Sequence, residues 1–440
     1  MGDIRWYMNK ETGNYGLYML SNCRMIWQDT AGYVPNLEKP QSTNLYELDY
    51  LGRAYNMYYL SGGSHHEVIE KEPGGNLLVL TSSMQSHCED KVEEIDRQTG
   101  AVVNKLKLQD IIKCKYENLV DWAHINTVSY QPETDTILLS VRNLESVIKV
   151  NWTTKEIQWI LCDPRFWEGT DYEKYVLKAD GDFIYQFQQH TAYQIDTDLD
   201  GDDQTIEITM LWRRKKDIDY YDKTEESYLL VYSVNEAEGT VKQIKKIPTV
   251  WSKITSAAIY EADSNHFFGM CGHVANAENG WKGMTYEFDY DTEKVLNQYC
   301  LKKTFYRAEE MRIDYNDLAS PMELDENYIK GELWQPVKTW KWLWNKKPGQ
   351  GLPADTLTYN ITGKVLYIGT YDHQISQIIF KGAKNTYVYD TTEVRLHMET
   401  FLDFYENIPV PLQGMNADNY EIYVMYQDGF YDTQQTFAIN

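Results

Sequence analysis

A short polar turn recurs between strand-like segments, and this repetition constrains the fold more than any other feature of the chain. Clear copies are residues 9–13 (NKETG), 96–100 (DRQTG) and 360–363 (NITG). Asp and Asn side chains bond backbone amides two residues further on, and glycine accepts a positive φ, so each copy predicts a hairpin turn. The chain is therefore expected to be a series of antiparallel strands.

The apolar runs between the turns have the length and composition of buried strands, as in residues 76–80 (NLLVL), 136–140 (TILLS) and 228–232 (YLLVY). Units of about four strands and roughly 55 to 65 residues are typical of propeller blades. The sequence predicts an all-β fold with a six-bladed β-propeller over residues 1–385, in which residues 320–355 form an insertion or a rim loop. Residues 386–440 are expected to be closing strands or a small C-terminal β extension.

The composition agrees with a β-rich protein and limits its partners. The 440 residues include 36 Tyr and 13 Trp, which favour strands, and only 12 Pro. The net charge of −24 argues against nucleic acid or an anionic membrane as a partner, because both require a cationic face. No apolar run reaches the ~18 residues of a membrane span, and the first residues read as a strand and not as a signal peptide.

Three histidines open strand-like segments at nearly regular intervals. His124 follows His66 by 124 − 66 = 58 residues, and His190 follows His124 by 190 − 124 = 66 residues. Since the inner strands of a propeller begin around one channel, one histidine per blade predicts three imidazoles in one pocket. Neutral imidazoles act as nucleophiles, bases and hydrogen-bond donors near neutral pH.

Four further residues are expected at the same pocket. Asn126 lies two residues after His124 and so on the same face of a strand, while Arg142 can return to the strand mouth with a planar fork for a sulfate or phosphate group. Thr255 follows His190 by 255 − 190 = 65 residues, which matches the blade spacing. Its hydroxyl, or the nearby Lys253, is expected to face the channel as a substrate-binding group.

The segments around these histidines resemble the bacterial arylsulfate sulfotransferase family, which works without a nucleotide sulfate donor. The resemblance rests on residues 65–68 (HHEV), on residues 121–126 (DWAHIN) followed by a strand and Arg142, and on residues 189–192 (QHTA). It implies a six-bladed propeller that moves a sulfuryl group from a phenyl sulfate to a phenol by a ping-pong mechanism. It also implies an extracytoplasmic or periplasmic location, and the chain shows no signal peptide that would decide the compartment.

By the same resemblance, His190 matches the histidine that is sulfated, and His66, His124, Asn126, Arg142 and Thr255 match its pocket. Arg142, Asn126 and Thr255 would hold the sulfuryl oxygens, while His124 and His66 would protonate the leaving phenol and deprotonate the acceptor. The sequence has no glycine-rich phosphate loop, which disfavours a nucleotide donor. No cofactor is expected for this chemistry.

An acidic segment after His190 has the spacing of a calcium loop. Residues 196–207 (DTDLDGDDQTIE) match D-x-D-x-D-G-x₅-E. The candidate ligands are Asp196, Asp198, Asp200, Asp202 and Glu207, which predict a structural calcium site. The alternative is an acidic, solvated hairpin tip.

Two other functions fit the same residues. His66, His124 and His190 have the chemistry of a three-imidazole metal site for hydrolysis or redox reactions, although Arg142 nearby disfavours a cation. The propeller is otherwise a binding module that captures an anionic, sulfated ligand without reacting. The sequence leaves a homo-oligomer open.

Overall fold

The computed structural model describes residues 14–29, 32–34, 39–83, 87–212, 226–276, 280–308, 329–330, 336–339, 349–350, 358–362, 365–370, 375–390, 406–412, 414–426 and 429–440. The described residues are almost entirely β-structure. Their helical elements are one turn of α-helix, α1 (Leu108–Ile111), and three 3₁₀ turns at Arg142–Leu144, Pro164–Phe166 and Glu173–Tyr175.

The strands of the first half are β1 (Asn14–Met19), β2 (Met25–Asp29), β3 (Gly32–Val34), β4 (Lys39–Leu48), β5 (Ala54–Glu70), β6 (Leu77–Thr81), β7 (Lys91–Ile95), β8 (Val102–Lys107), β9 (Ile125–Gln131), β10 (Thr136–Val141), β11 (Ser146–Asn151), β12 (Ile157–Leu161), β13 (Lys178–Ala179), β14 (His190–Ile195) and β15 (Ile206–Trp212). The strands of the second half are β16 (Glu226–Asn235), β17 (Thr240–Val250), β18 (Ser256–Glu261), β19 (His266–Asn276), β20 (Gly280–Asp289), β21 (Val295–Leu301), β22 (Ile329–Lys330), β23 (Val337–Lys338), β24 (Gly349–Gln350), β25 (Thr358–Thr362), β26 (Val365–Thr370), β27 (Ile375–Lys381), β28 (Thr386–Asp390), β29 (Glu406–Pro411), β30 (Asp418–Tyr426) and β31 (Gly429–Ile439).

Three consecutive sheets are four-stranded antiparallel meanders, β9–β12, β14–β17 and β18–β21, with β13 added in parallel to β17. Before them, the long strand β5 joins two meanders into one sheet. Its first part pairs with β4 and its last part pairs with β6, which gives the order β1-β2-β4-β5-β6-β7-β8. The later strands form the sheets β23-β28-β27-β30-β31-β24 and β25-β26-β29.

The turns form as their side chains predict. In the hairpin between β7 and β8, Asp96 Oδ1 accepts hydrogen bonds from the backbone amides of Gln98 at 3.1 Å and Thr99 at 2.8 Å. Gly100 closes this turn with a φ of 74°, which glycine adopts without a steric penalty. The predicted turn at residues 9–13 lies outside the described residues, as do Gly363 and most of residues 320–355.

Apolar side chains fill the spaces between neighbouring sheets. Strand β10 is buried along its whole length, and one face of its sheet packs against the β5–β8 strands while the other packs against β14–β17. A third cluster lies between β14–β17 and β18–β21. As a result, the first strands of the successive meanders β5–β8, β9–β12, β14–β17 and β18–β21 contact one another in chain order.

The prediction of an all-β fold is confirmed, and the stacked four-stranded meanders have the organisation of propeller blades. The number of six blades and the domain boundary stay predictions. Residue 385 lies between β27 and β28, which pair directly as a hairpin. Among the described residues, no helix has the length and apolar character needed to cross a membrane.

Candidate active site

An unusual backbone conformation occurs at or next to the starts of β9, β14 and β18, and within β5 where its pairing with β6 begins. The φ angle is 50° at His66, 55° at His124, 73° at Thr191 and 54° at Thr255. A positive φ is unfavourable for residues with a Cβ, above all for β-branched threonine, and it persists where the surroundings enforce it. The strand register is irregular next to three of these residues, His66, His124 and Thr191. The irregularities lie where β5 pairs with β6, β9 with β10 and β14 with β15. Such bulges change the direction in which a side chain points.

The rings of the three histidines meet at one place. The His66 ring centroid lies 4.9 Å from that of His124 and 5.8 Å from that of His190. Tyr306 extends the group, since its ring lies 6.0 Å from His66 and 5.8 Å from His190. All three histidines are buried. The structure thus brings together the residues that the blade spacing selects.

His190 is oriented by the neighbouring sheet. Its Nδ1 lies 2.8 Å from the carbonyl oxygen of Ser256. Because a carbonyl only accepts hydrogen bonds, the proton of the ring is on Nδ1 and the lone pair of the neutral ring is on Nε2. The Ser256 amide is also near Nδ1, at 3.4 Å, but the same nitrogen cannot donate and accept along its one in-plane direction, and the shorter contact decides the tautomer.

Asn126 holds the backbone on both sides of His190. Its Nδ2 donates to the carbonyl oxygen of Gln189 at 2.9 Å, and its Oδ1 accepts from the amide of Thr191 at 3.3 Å. The side chain is almost fully buried. The structure therefore gives Asn126 a role in positioning the histidine, beside the sulfuryl contact that the sequence predicts for it.

His124 is held by acidic side chains. Its Nδ1 lies 2.8 Å from Glu89 Oε2 and 3.1 Å from Asp121 Oδ2. Glu89 is fully buried. Two carboxylates at one ring nitrogen fix a proton on Nδ1 and stabilise the imidazolium form when the ring takes up a second proton.

His66 lies between the other two rings and is neutral. His65 Nε2 donates to the carbonyl oxygen of Thr81 at 3.0 Å, so His65 Nδ1 is an acceptor and receives the proton of His66 Nδ1 over 3.0 Å. Burial holds the pKa of His66 well below its ordinary value, against the opposing charge of Glu89. All three histidines therefore donate through Nδ1, and their neutral rings carry the lone pair on Nε2.

Arg142 belongs to the same site. It begins a 3₁₀ turn, and its amide donates to the His124 carbonyl oxygen at 3.0 Å. Its guanidinium donates to Asn143 Oδ1 at 2.8 Å and to Gln188 Oε1 at 3.4 Å, next to the His190 segment. Burial lowers the pKa of Arg142 from its ordinary value, and the charges of Asp121 and Glu89 oppose that shift. The cation lies between the sheet of His124 and the sheet of His190.

The two remaining predicted residues have other contacts. Thr255 Oγ1 lies 2.7 Å from the Ile254 carbonyl oxygen and 3.2 Å from that of Phe305, so its one proton is directed to backbone carbonyls, the nearer of which is that of Ile254. Lys253 places its Nζ over the Trp281 ring, 5.3 Å from the centroid. Burial, and then the charge of Lys253, lower the pKa of His273, whose ring lies 4.3 Å from that of Trp281.

Glu89 and Tyr306 are functional candidates that the sequence did not reveal. Glu89 lies in a polar stretch without a motif, and its position beside His124 depends on the contact between two sheets. Tyr306 lies in a segment whose pattern is typical of a short helix. Asp121 has a signal, since it opens the same six-residue motif as His124, but its role follows only from the 3.1 Å contact.

The groups that could hold a metal differ from the predicted three-imidazole set. Among the described residues, ligand atoms lie within 4.8 Å of one another in three sets, which are His65, His66 and Glu89; Glu89, Asp121 and His124; and Asp198, Asp200 and Glu207. None of the three contains His190. The first two share Glu89 and lie at the histidine cluster, and the third is in the acidic loop.

Comparison with known proteins identifies related chains. The arylsulfate sulfotransferases AssT of Escherichia coli O6:H1 and Lelliottia amnigena are 24% and 23% identical over 399 and 398 residues, each alignment covering 70% of this chain and 63% of the relative. The chain thus spans less than two thirds of the length of these relatives. Among solved structures, the WD40 domain of Toxoplasma gondii coronin matches with a TM-score of 0.37 and 8% identity, over 66% of this chain and 59% of that chain.

The sequence model of the Arylsulfotransferase (ASST) family matches residues 1–309, which include the histidine cluster, Arg142 and Tyr306. This match covers well over half of the chain, and the chain belongs to the arylsulfotransferase family.

Proposed function

We propose that this protein transfers a sulfuryl group from an aryl sulfate to a phenolic acceptor in two steps, with His190 carrying the group between them. The observation that carries the proposal is the hydrogen bond from His190 Nδ1 to the Ser256 carbonyl oxygen, because it puts the nucleophilic lone pair on Nε2. The family match and the relatives support the class of reaction.

In the first step, His190 Nε2 attacks the sulfur atom, an N–S bond forms, and the bond between sulfur and the aryl oxygen breaks. The departing phenolate takes the Nε2 proton of His124, which enters this step as the imidazolium and leaves it as the neutral ring. In the second step, the oxygen of the acceptor phenol attacks the same sulfur, the N–S bond breaks, and the proton of the acceptor passes to His124. The cycle restores both histidines and needs no oxidant, reductant or nucleotide.

The surroundings of the two histidines support this division of roles. The carboxylates of Glu89 and Asp121 orient the His124 ring through Nδ1 and would leave Nε2 to exchange a proton with the substrate, which suits a general acid and base. His190 has a neutral carbonyl partner, so its Nε2 keeps the character of an uncharged nucleophile. His66 is neutral and lies between the two rings, where its lone pair on Nε2 can accept a hydrogen bond from a bound phenol.

Arg142 supplies positive charge for the sulfuryl oxygens, on which negative charge is concentrated in the transition state. Its position between the sheets of His124 and His190 supports this role. Asn126 keeps the His190 backbone in place, and Thr255 does the same for the segment before Tyr306. We also propose that the substrate contacts Asn126, Thr255 and Lys253. A variant of each residue would test its contact separately.

The test combines 4-nitrophenyl sulfate with and without a phenol acceptor, in the presence of a chelator. We expect acceptor-dependent release of nitrophenolate and a labile sulfuryl adduct on His190 in the intact mass spectrum. His190→Ala should lose the adduct and slow the transfer about 1,000-fold or more, as removal of a nucleophile does. His266→Ala is the matched control, because His266 bonds Glu287 at 2.6 Å on another sheet.

The same experiment separates the two alternative functions. Activity that requires an added transition metal and disappears in chelator would support the metal sets that contain Glu89, and would overturn the sulfohistidine route. Saturable binding of the aryl sulfate without turnover would identify a binding module for anionic ligands. Full activity of His190→Ala would exclude His190 as the carrier.

A further inference from the structure

The loop between β14 and β15 gathers three carboxylates away from the histidine cluster. Ligand oxygens of Asp198, Asp200 and Glu207 lie within 4.8 Å of one another. Gly201 turns the chain between them with a φ of 81°, a conformation that glycine tolerates. Three negative groups at these distances repel one another unless a cation lies among them.

Glu207 provides a second and independent observation. The residue is only 2% exposed, and among the described residues its Oε1 has no hydrogen-bond partner. A buried carboxylate oxygen without a donor is costly, and such oxygens in native proteins call for an explanation such as an ion. The carboxylate therefore lies in a buried site beside Asp198 and Asp200, where no ion pair with a described residue balances its charge.

The other two carboxylates are held in place. Ser233, on the strand next to Glu207, donates to Asp200 Oδ2 at 2.6 Å. Asp198 Oδ1 accepts from the amides of Asp200 at 3.2 Å and Gly201 at 2.6 Å, which fixes one of its oxygens. Asp196 and Asp202 do not belong to the group of three, and Asp202 Oδ1 accepts from the Gln204 amide at 3.1 Å.

We propose that Asp198, Asp200 and Glu207 bind Ca²⁺, independently of the transfer reaction. All candidate ligand atoms are oxygens, without the nitrogen or sulfur that transition metals prefer, and the loop follows the spacing of calcium loops. Calcium also tolerates the irregular geometry that carboxylates on a loop and a strand provide, whereas Mg²⁺ demands a near-ideal octahedron. The set is smaller than the five ligands that the sequence predicts, so Asp196 and Asp202 would contribute only after a local rearrangement.

The position of the loop indicates a structural role for the ion. Leu199, inside the loop, packs against the apolar cluster between the β14–β17 and β18–β21 meanders. Tyr290, a residue of the β18–β21 meander, belongs to the same cluster. Bound Ca²⁺ would therefore strengthen the boundary of the sheet that begins with His190.

The test is a calorimetric titration of the chelator-treated full chain with CaCl₂, followed by thermal unfolding with and without Ca²⁺. We expect one ion per chain with a Kd on the order of 10⁻⁴ to 10⁻³ M, the weak end of the range of protein calcium sites, and a higher Tm in Ca²⁺. Glu207→Gln keeps the shape of the side chain and should weaken binding at least about 10-fold. Asp198→Asn, at an exposed position that folding tolerates, should do the same.

Asp203→Asn is the matched control, because it removes one negative charge from the same loop at an exposed position outside the group of three. Its Ca²⁺ affinity should stay within about 3-fold of the wild-type value. Wild-type protein that gives no binding heat and no Tm shift at millimolar Ca²⁺ would overturn the site. Equal losses in Glu207→Gln and Asp203→Asn would also overturn it, since they would show that only net charge matters.

Discussion

The sheet that begins with His190 and the sheet that begins with His124 hold their histidines through the same ring nitrogen but with different partners. In His190, Nδ1 donates to the Ser256 carbonyl oxygen at 2.8 Å. In His124, Nδ1 faces the carboxylates of Glu89 at 2.8 Å and Asp121 at 3.1 Å. The geometry is nearly equal, whereas the charge of the partner differs.

This difference determines what each ring can do. A carbonyl dipole orients an imidazole but adds little to the stability of its charged form, so in the proposed reaction Nε2 of His190 would act as a neutral nucleophile. A carboxylate pair stabilises the imidazolium that forms when a ring gains a proton, so His124 suits the transfer of protons. In the proposed reaction, one residue type would thus serve two chemical roles in one site.

The largest effect expected in this comparison is that of His124→Ala on the donor step. Without its acid, the leaving phenolate departs unprotonated, so the rate should fall about 100-fold for phenyl sulfate. The loss should be much smaller for 4-nitrophenyl sulfate, because nitrophenolate is stable without a proton. Single-turnover release of a series of substituted phenols measures this dependence on the leaving group.

The adduct on His190 distinguishes the two histidines in the same samples. His124→Ala should still form the sulfuryl adduct with 4-nitrophenyl sulfate, since the nucleophile is intact, whereas His190→Ala should form none. If His124→Ala slowed transfer from all aryl sulfate donors equally, the His124 ring would serve binding or structure and not proton transfer.

Parts of this picture could be predicted from the sequence because they depend on local chemistry or on regular spacing. The turn at Asp96 follows from the reach of its carboxylate, and the three histidines follow from one position per blade. The join of two meanders by the 17-residue strand β5 could not be predicted, because each half of the strand pairs with a different neighbour. No pattern within the strand marks that division.

The residues that contact the histidines could not be predicted either, because those contacts form between separate sheets and no local sequence pattern marks them. Glu89 reaches His124 because the strand start of one sheet packs against that of the next, and the Ile125 amide donates to the Glu89 carbonyl oxygen at 2.8 Å. The positive φ angles of His66, His124 and Thr255 are likewise imposed by tertiary contacts. Thr255 illustrates the limit, since its spacing placed it near the site, whereas its hydroxyl bonds backbone carbonyls.

A smaller effect is expected when the charge beside His124 is removed and the shape is kept. Glu89→Gln leaves a hydrogen-bond acceptor for Nδ1 but no longer stabilises the imidazolium, so transfer from phenyl sulfate should slow about 10-fold. The dependence on the leaving group should become steeper than in wild type, which a purely structural role of Glu89 would not produce. Steady-state rates across the same phenol series provide the measurement.

Glu94→Gln is the control for that substitution. Glu94 is a buried carboxylate on β7 of the same sheet and accepts from Trp152 Nε1 at 2.6 Å. Its variant should lose stability while the leaving-group dependence stays that of wild type. Equal slopes for both variants would mean that the carboxylate beside His124 has no specific effect.

The smallest expected effect concerns His66, whose ring lies near those of His124 and His190. It tests whether His66 is a neutral ring, as proposed for His190, or a proton-transferring ring, as proposed for His124. Burial holds its pKa well below the ordinary value in the folded chain, although Glu89 opposes this, while His65, His124 and His190 add to it. Between that pKa and the value of about 6.5 in the unfolded chain, the unfolded chain binds more protons, so acidification favours unfolding. The free energy of unfolding of wild type should therefore fall as the pH drops below about 6.5, and that of His66→Gln should fall less over the same interval.

Denaturant midpoints from tryptophan fluorescence between about pH 5 and pH 8 measure the difference. Parallel curves for the two proteins would show that His66 is not held neutral, and it would then belong with His124 as a second site for the transferred proton.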